Sequence, residues 1–136
     1  MTVYSWNMLF NNKRLDEALA FIRDANPDVF CLQEVPEEFA AQLKSLPYSY
    51  VAAPEVDRIF DGERSTQYVV ILSKFPIRAE GRIPLPYREP HLKRRSRWFV
   101  SFMMRMKLWE LGLSDRHAIF ADVVTPHGPV RIFNVH

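Results

Sequence analysis

The run Asp28–Val35, DVFCLQEV, constrains this chain more than any other stretch. Val29, Phe30, Cys31 and Leu32 have the unbroken apolar character of a buried strand. The run then ends in Gln33 and Glu34. A carboxylate seldom sits in such company unless it is paired or bound to a metal. An echo lies upstream, where TVYSWNM (residues 2–8) is also strand-like and sets Asn7 among apolar neighbours.

Between these two runs, Leu15, Ala18, Leu19 and Ile22 fall at the spacing of one helical face, with Asn11 and Asn12 as candidate N-caps. Pro27 stops that helix, because it disfavours helical backbone at Asn26, and the chain restarts as strand 28–34. Pro36 at a first helical position, followed by Glu37 and Glu38, opens a second helix with Phe39, Leu43 and Leu46 as its buried stripe. YSYVAA and QYVVILS read as further strands, separated by a charged loop, PEVDRIFDGERST. HAIFADVV and PVRIFNV form a hairpin around TPHG, where Pro126 and Gly128 supply turn chemistry.

The order β-α-β-α-β-β followed by a hairpin predicts a mixed α/β layered domain, and 136 residues allow at most one. A net charge of +2 does not by itself argue for nucleic acid. Cys31 is the only cysteine, so no internal disulfide can form, and mid-strand it reads as a small apolar filler. The amino terminus shows no basic region followed by an apolar stretch. The longest apolar run, around Trp98–Met104, is too short to span a bilayer. A cytoplasmic, reducing setting is the expectation. VRIFNVH halts on a strand with no polar tail, as a domain cut partway would.

Asn7 and Glu34 both lie at the carboxyl ends of strands joined by one helical crossover. Such strands tend to be neighbours, and open sheets bind ligands at that end. One carboxylate and one amide oxygen are hard donors suited to Mg²⁺ or Mn²⁺. His136, at the end of the last strand, could donate a proton or a hydrogen bond to a phosphoryl oxygen. Plainer readings stand beside these. Glu34 can serve the amino end of the following helix, Asn7 can be a turn former, and His136 a surface histidine.

YSWNM, NPDVFCLQEV, VVILSKFPI and PVRIFNVH, in that order, resemble the endonuclease/exonuclease/phosphatase superfamily, whose fold is deoxyribonuclease-I-like. The resemblance implies a β-sandwich flanked by helices, with residues 1–136 as the N-terminal portion of one such domain, about its first half. It implies a Mg²⁺- or Mn²⁺-dependent phosphoesterase in which Asn7, Glu34 and His136 are catalytic. Glu34 would be the main metal ligand, Asn7 would help set the metal and phosphate site, and His136 would contact the scissile phosphate. Gln67 and Tyr68 fall where the family strand lines the groove. The family's substrates include DNA, RNA, DNA–protein adducts, inositol phosphates and sphingomyelin.

Departures from the pattern count as well. The family's later elements, an Asp-x-Asn and a terminal Asp-His, have no counterpart because the sequence stops, and SDRH at Ser114–His117 precedes the hairpin and lies too early to be the terminal pair. Leu9 stands where some members carry an acid. If each half of the domain supplies one sheet, this portion exposes a sheet face and is a poor catalyst alone. The rival reading is a non-catalytic, truncated or degenerate copy that acts as a binding module.

Six Lys or Arg fall between Lys93 and Lys107 with no acid among them, interleaved with Trp98, Phe99 and Phe102 and followed by Trp109. The segment Lys93–Trp109 reads as a nucleic-acid arm, as an interfacial helix on a membrane surface, or as an insertion packed on the core. The basic groups tilt the balance to nucleic acid. A salt-sensitive nucleic-acid titration set against co-sedimentation with anionic vesicles separates the first two readings, and binding to neither favours the packed insertion.

Overall fold

The computed structural model describes residues 1–9, 11–60, 63–85, 102 and 117–136. The basic-aromatic segment, apart from Phe102, lies outside the described residues, as does SDRH apart from His117.

The first sheet is built from β1 (Val3–Asn7), β2 (Val29–Pro36), β3 (Ser49–Phe60) and β4 (Glu63–Ser73), in spatial order β1-β2-β4-β3. Helix α1 (Leu15–Ala25) connects β1 to β2, which run parallel with Val3 beside Val29 and Asn7 beside Gln33. Helix α2 (Glu37–Leu43) leads from β2 towards β3. The second sheet holds β5 (Ile77–Pro84), β6 (His117–Thr125) and β7 (Gly128–Asn134), all antiparallel and in chain order.

Local chemistry sets the element ends. Helix α1 begins at Leu15 with Arg14 in the cap position, not at the expected asparagines. Asn12 turns its Oδ1 to the Arg14 N–H at 2.9 Å and is used up in a turn. Asn26 closes the helix in the left-handed region, at φ 42°, just ahead of Pro27. Pro36 is extended and precedes α2, whose first turn carries Glu37 and Glu38. The supposed loop 54–66 is largely strand, since β3 and β4 stay paired out to Phe60 and Glu63. Among the described residues, the pairing of β2 with β4 ends at Gln67, and β3 and β4 continue beyond it as a pair.

The two faces of the first sheet carry two apolar layers. Phe30, Leu32, Val35, Val70 and Leu72 face the helices and pack with Ala18, Ile22, Phe39 and Leu43. Val29, Cys31, Val51, Ala53, Val69 and Ile71 face the second sheet and meet Ile119, Ala121 and Val123. Each fully buried Leu, Ile, Val or Phe contributes about 1.5–3 kcal/mol. The chain thus supplies strands to both sheets. The expectation of one sheet with a bare inner face is corrected, because β5–β7 already cover it. Cys31 sits inside that layer, where burial pushes its thiol up to about 11, so it is an uncharged filler at neutral pH.

One buried polar side chain ties the two sheets together. Asn134, at the end of β7, is 1% exposed. Its Nδ2 donates to the Leu32 and Val70 carbonyls, each at 2.9 Å, and its Oδ1 accepts from Gln33 Nε2 at 2.6 Å. Asn134→Ala takes the side-chain donor from both carbonyls at roughly 1–3 kcal/mol each, while Gln33 Nε2 keeps the Cys31 carbonyl and Ser5 Oγ. The expected loss is about 2 kcal/mol of unfolding free energy or more, read from urea titration.

Candidate active site at the ends of β1, β2 and β7

Regular alternation would send Glu34 into the helix-side core behind Phe30 and Leu32. A β-bulge prevents this. Leu32 pairs with Val70 and Val35 with Tyr68, so Gln33 and Glu34 together face Val69. Glu34 takes φ 53°, left-handed backbone that a non-glycine residue adopts at a cost on the order of 1–3 kcal/mol. Gln33 stays on the inter-sheet face with Asn134, Val35 takes the next place in the helix-side core, and Glu34 turns aside to the strand end.

Three sequence-predicted residues meet there. Asn7 Nδ2 donates to Glu34 Oε1 at 3.3 Å and lies 3.2 Å from His136 Nε2. His136 Nε2 is 3.4 Å from Glu34 Oε1. Asn7 keeps its own oxygen elsewhere, accepting the Leu9 N–H at 2.9 Å in a local turn. The face that Asn7 presents to the site is therefore a donor.

Glu55 completes the cluster, and the sequence reading missed it by placing it in a charged loop. It too occupies a bulge, between the pairs Pro54–Tyr68 and Val56–Gln67. Its residue exposure is 3%, and its Oε1 lies 2.6 Å from His136 Nδ1. An ionised Glu55 only accepts, so Nδ1 carries the proton and Nε2 turns a lone pair to Asn7. The signal was present in AAPEV, a carboxylate just after an apolar strand run, as in CLQEV.

Glu55 Oε2 and Gln67 Oε1 are buried and have no hydrogen-bond partner among the described residues. Gln67 itself is 2% exposed, whereas Tyr68 packs against the helix-side core. Leu9 is exposed, and His117 opens β6 opposite Pro84. Among the described residues, no three His, Cys, Asp or Glu side chains converge as a ready metal cage.

Clustering of an asparagine, two glutamates and a histidine at strand ends is what the sequence motifs anticipated in part. The sequence profile of the Endonuclease/Exonuclease/phosphatase family matches residues 4–107. The chain belongs to that family. The matched span contains Asn7, Glu34 and Glu55 and stops short of His136. No curated protein matches the chain.

Among solved structures, the chain is similar to an endonuclease/exonuclease/phosphatase from Beutenbergia cavernae DSM 12333. The TM-score is 0.66 and the identity 20%, over 98% of this chain and 37% of that one. It is also similar to an endonuclease/exonuclease/phosphatase family protein from Leptotrichia buccalis C-1013-b. There the TM-score is 0.59 and the identity 15%, over 97% of this chain and 53% of that one. The chain therefore spans about a third to a half of these structures. They bear out the α/β, deoxyribonuclease-I-like fold.

The left-handed backbone at Glu34 yields a direct test. Glu34→Gly relieves the strain and is expected to stabilise the protein by about 1 kcal/mol in urea unfolding, opposite in sign to Asn134→Ala.

Proposed function

We propose that this chain is the N-terminal part of a divalent-metal-dependent phosphoesterase domain, which hydrolyses a phosphodiester or phosphomonoester. Members of the family are typically hydrolytic, and residues 4–107 match it. The observation that carries the reading is the meeting of Asn7 of β1, Glu34 of β2 and His136, just past β7, within 3.4 Å of one another.

The donor set fits a hard cation. Glu34 offers a carboxylate whose side chain is 12% exposed, and Mg²⁺ or Mn²⁺ binds through one or two carboxylates while keeping several waters. Thiolate and imidazole cages of the zinc kind are absent among the described residues. Glu34 is the ligand proposed, with Asn7 organising it through Nδ2. When bound, the ion supplies positive charge against the phosphoryl oxygens.

The remaining work falls to side chains of this chain. Asn7 Nδ2 donates to Glu34 and, with substrate present, to a phosphoryl oxygen. Glu55 holds His136 in one tautomer. His136 Nε2 then faces Asn7 Nδ2 and, in the protonated ring, donates a hydrogen bond to the phosphate.

Leu9, standing where some family members carry an acid, supports weak catalysis by this chain alone. It also gives the non-catalytic binding module its place as the second reading. The six basic groups between Lys93 and Lys107 support nucleic acid as the substrate class. A cytoplasmic setting belongs to the same proposal. Among the described residues, no helix is long and apolar enough to cross a membrane.

Mn²⁺ titration followed by electron paramagnetic resonance tests the site without relying on turnover. Glu34→Gln is expected to weaken Mn²⁺ binding at least about tenfold, and Mg²⁺-dependent cleavage of a generic phosphodiester by the wild-type chain to be slow. Mn²⁺ affinity that ignores Glu34→Gln sinks the metal assignment.

A further inference from the structure

Beneath Asn7, Glu34 and His136 lies a second polar layer, drawn from the same three strands. Gln33 adjoins Glu34 on β2, Asn134 stands two residues before His136, and Ser5 two residues before Asn7 on β1. At the rise of a strand, about 3.3 Å per residue, each member lies within about 7 Å of its site residue along the backbone. Gln33 is 7% exposed and Asn134 is buried outright.

One amide group joins all three strands. Gln33 Nε2 donates to Asn134 Oδ1 at 2.6 Å, to the Cys31 carbonyl at 3.2 Å and to Ser5 Oγ at 3.3 Å. Two N–H groups thus serve three acceptors, and the shortest contact is the one that crosses between the sheets. Asn134 in turn spans the Leu32 and Val70 carbonyls with Nδ2. Leu32 and Val70 form the last regular pair before the register shift that turns Glu34 aside.

Apolar packing alone does not hold these strand ends in place. Among the described residues β7 pairs with β6 of the second sheet and with no strand of the first. The apolar layer between the sheets is attractive but non-directional, so it does not fix the position of one strand along another. Hydrogen bonds do, because they weaken steeply with distance and angle. The tolerance at the site is small. Asn7 Nδ2 lies 3.3 Å from Glu34 Oε1 and 3.2 Å from His136 Nε2, and the latter two are 3.4 Å apart. A slip of about 1 Å between β2 and β7 takes the ring out of reach.

We infer that Gln33 is a positioning residue: through Asn134 and Ser5 it sets the ends of β1, β2 and β7 in register, so that Asn7, Glu34 and His136 meet as one site. Gln33 touches neither ion nor substrate in this role. Its service to catalysis rests on the phosphoester reading, whereas its hold on the His136 ring does not.

Gln33→Met in the 136-residue chain tests this, since it keeps an unbranched side chain and removes both N–H donors. Two measurements are made on chain shown to be folded by far-ultraviolet dichroism. The first is the nitrogen resonances of the neutral His136 ring, which in the wild type report one tautomer with the proton on Nδ1, towards Glu55. The second is Mn²⁺ affinity by electron paramagnetic resonance. The expected result is a mixture of ring tautomers and Mn²⁺ binding weakened about tenfold or more. Gln33→Asn, which keeps the amide but draws it back by one methylene, moves both measurements the same way and serves if the methionine variant does not fold. An amide that only stabilises the sandwich lowers the urea midpoint and leaves both measurements as in the wild type, which overturns the inference. A wild-type ring already divided between tautomers overturns it, as does a change in one measurement without the other. If Glu34→Gln leaves Mn²⁺ affinity unchanged, the metal reading has failed separately, and the ring tautomer alone decides the role of Gln33.

Discussion

The bulge at Gln33–Glu34 is the constraint on which the rest of this structure turns. One extra residue in β2 separates two side chains that a regular strand would send to opposite cores. Gln33 remains between the sheets and meets Asn134, while Glu34 swings to the strand end and meets Asn7 and His136. The same irregularity lets Val35 refill the helix-side layer, so the core loses nothing where the polar site begins. Without the extra residue, a carboxylate would lie buried among Phe30 and Leu32, with a desolvation penalty that this fold has little means to offset.

A second bulge repeats the device. Glu55 interrupts β3 opposite the step from Tyr68 to Gln67, and its carboxylate reaches the ring of His136 from inside the sandwich. The last apolar residues between the sheets thus give way to Gln33, Glu55, Gln67 and Asn134, all 7% exposed or less. Most of their polar atoms find partners. The two oxygens that do not, on Glu55 and Gln67, mark the part of the cluster with hydrogen-bonding capacity to spare. Stability and chemistry pull apart here: Asn134 secures the sandwich, whereas Glu34 holds strained backbone to present its carboxylate.

Much of this could be read in advance, and the exceptions have physical causes. Asn7, Glu34 and His136 stood out because each is polar at the end of an apolar run, and the motifs around them follow a family order. Glu55 was hidden because its meaning depends on His136, 81 residues away. Charged letters around it resembled a loop, since PEVDRIFDGERST lacks the apolar alternation by which a strand is read. Asn11 and Asn12 looked like caps by type, yet the hydrogen bond from Arg14 N–H to Asn12 Oδ1 settled the competition in favour of a turn. The second sheet was underestimated because β5 is an edge strand bearing Arg78, Glu80 and Arg82, which carries little apolar periodicity.

The sequence by itself determined which segments of residues 1–53 are strands and helices, and which polar residues are too costly to be there by accident. Those are local matters of side-chain period, backbone restriction at Pro27 and the hydration of a carboxylate. Only the tertiary structure decided that the chain builds both sheets, that Asn134 locks them, and that Glu55 stands behind His136. Each of those depends on residues distant in the chain coming within hydrogen-bond reach, and on bulges that shift side-chain direction by one place. No local pattern encodes where a strand will slip its register, because that choice is made by the partner strand and the space between the sheets.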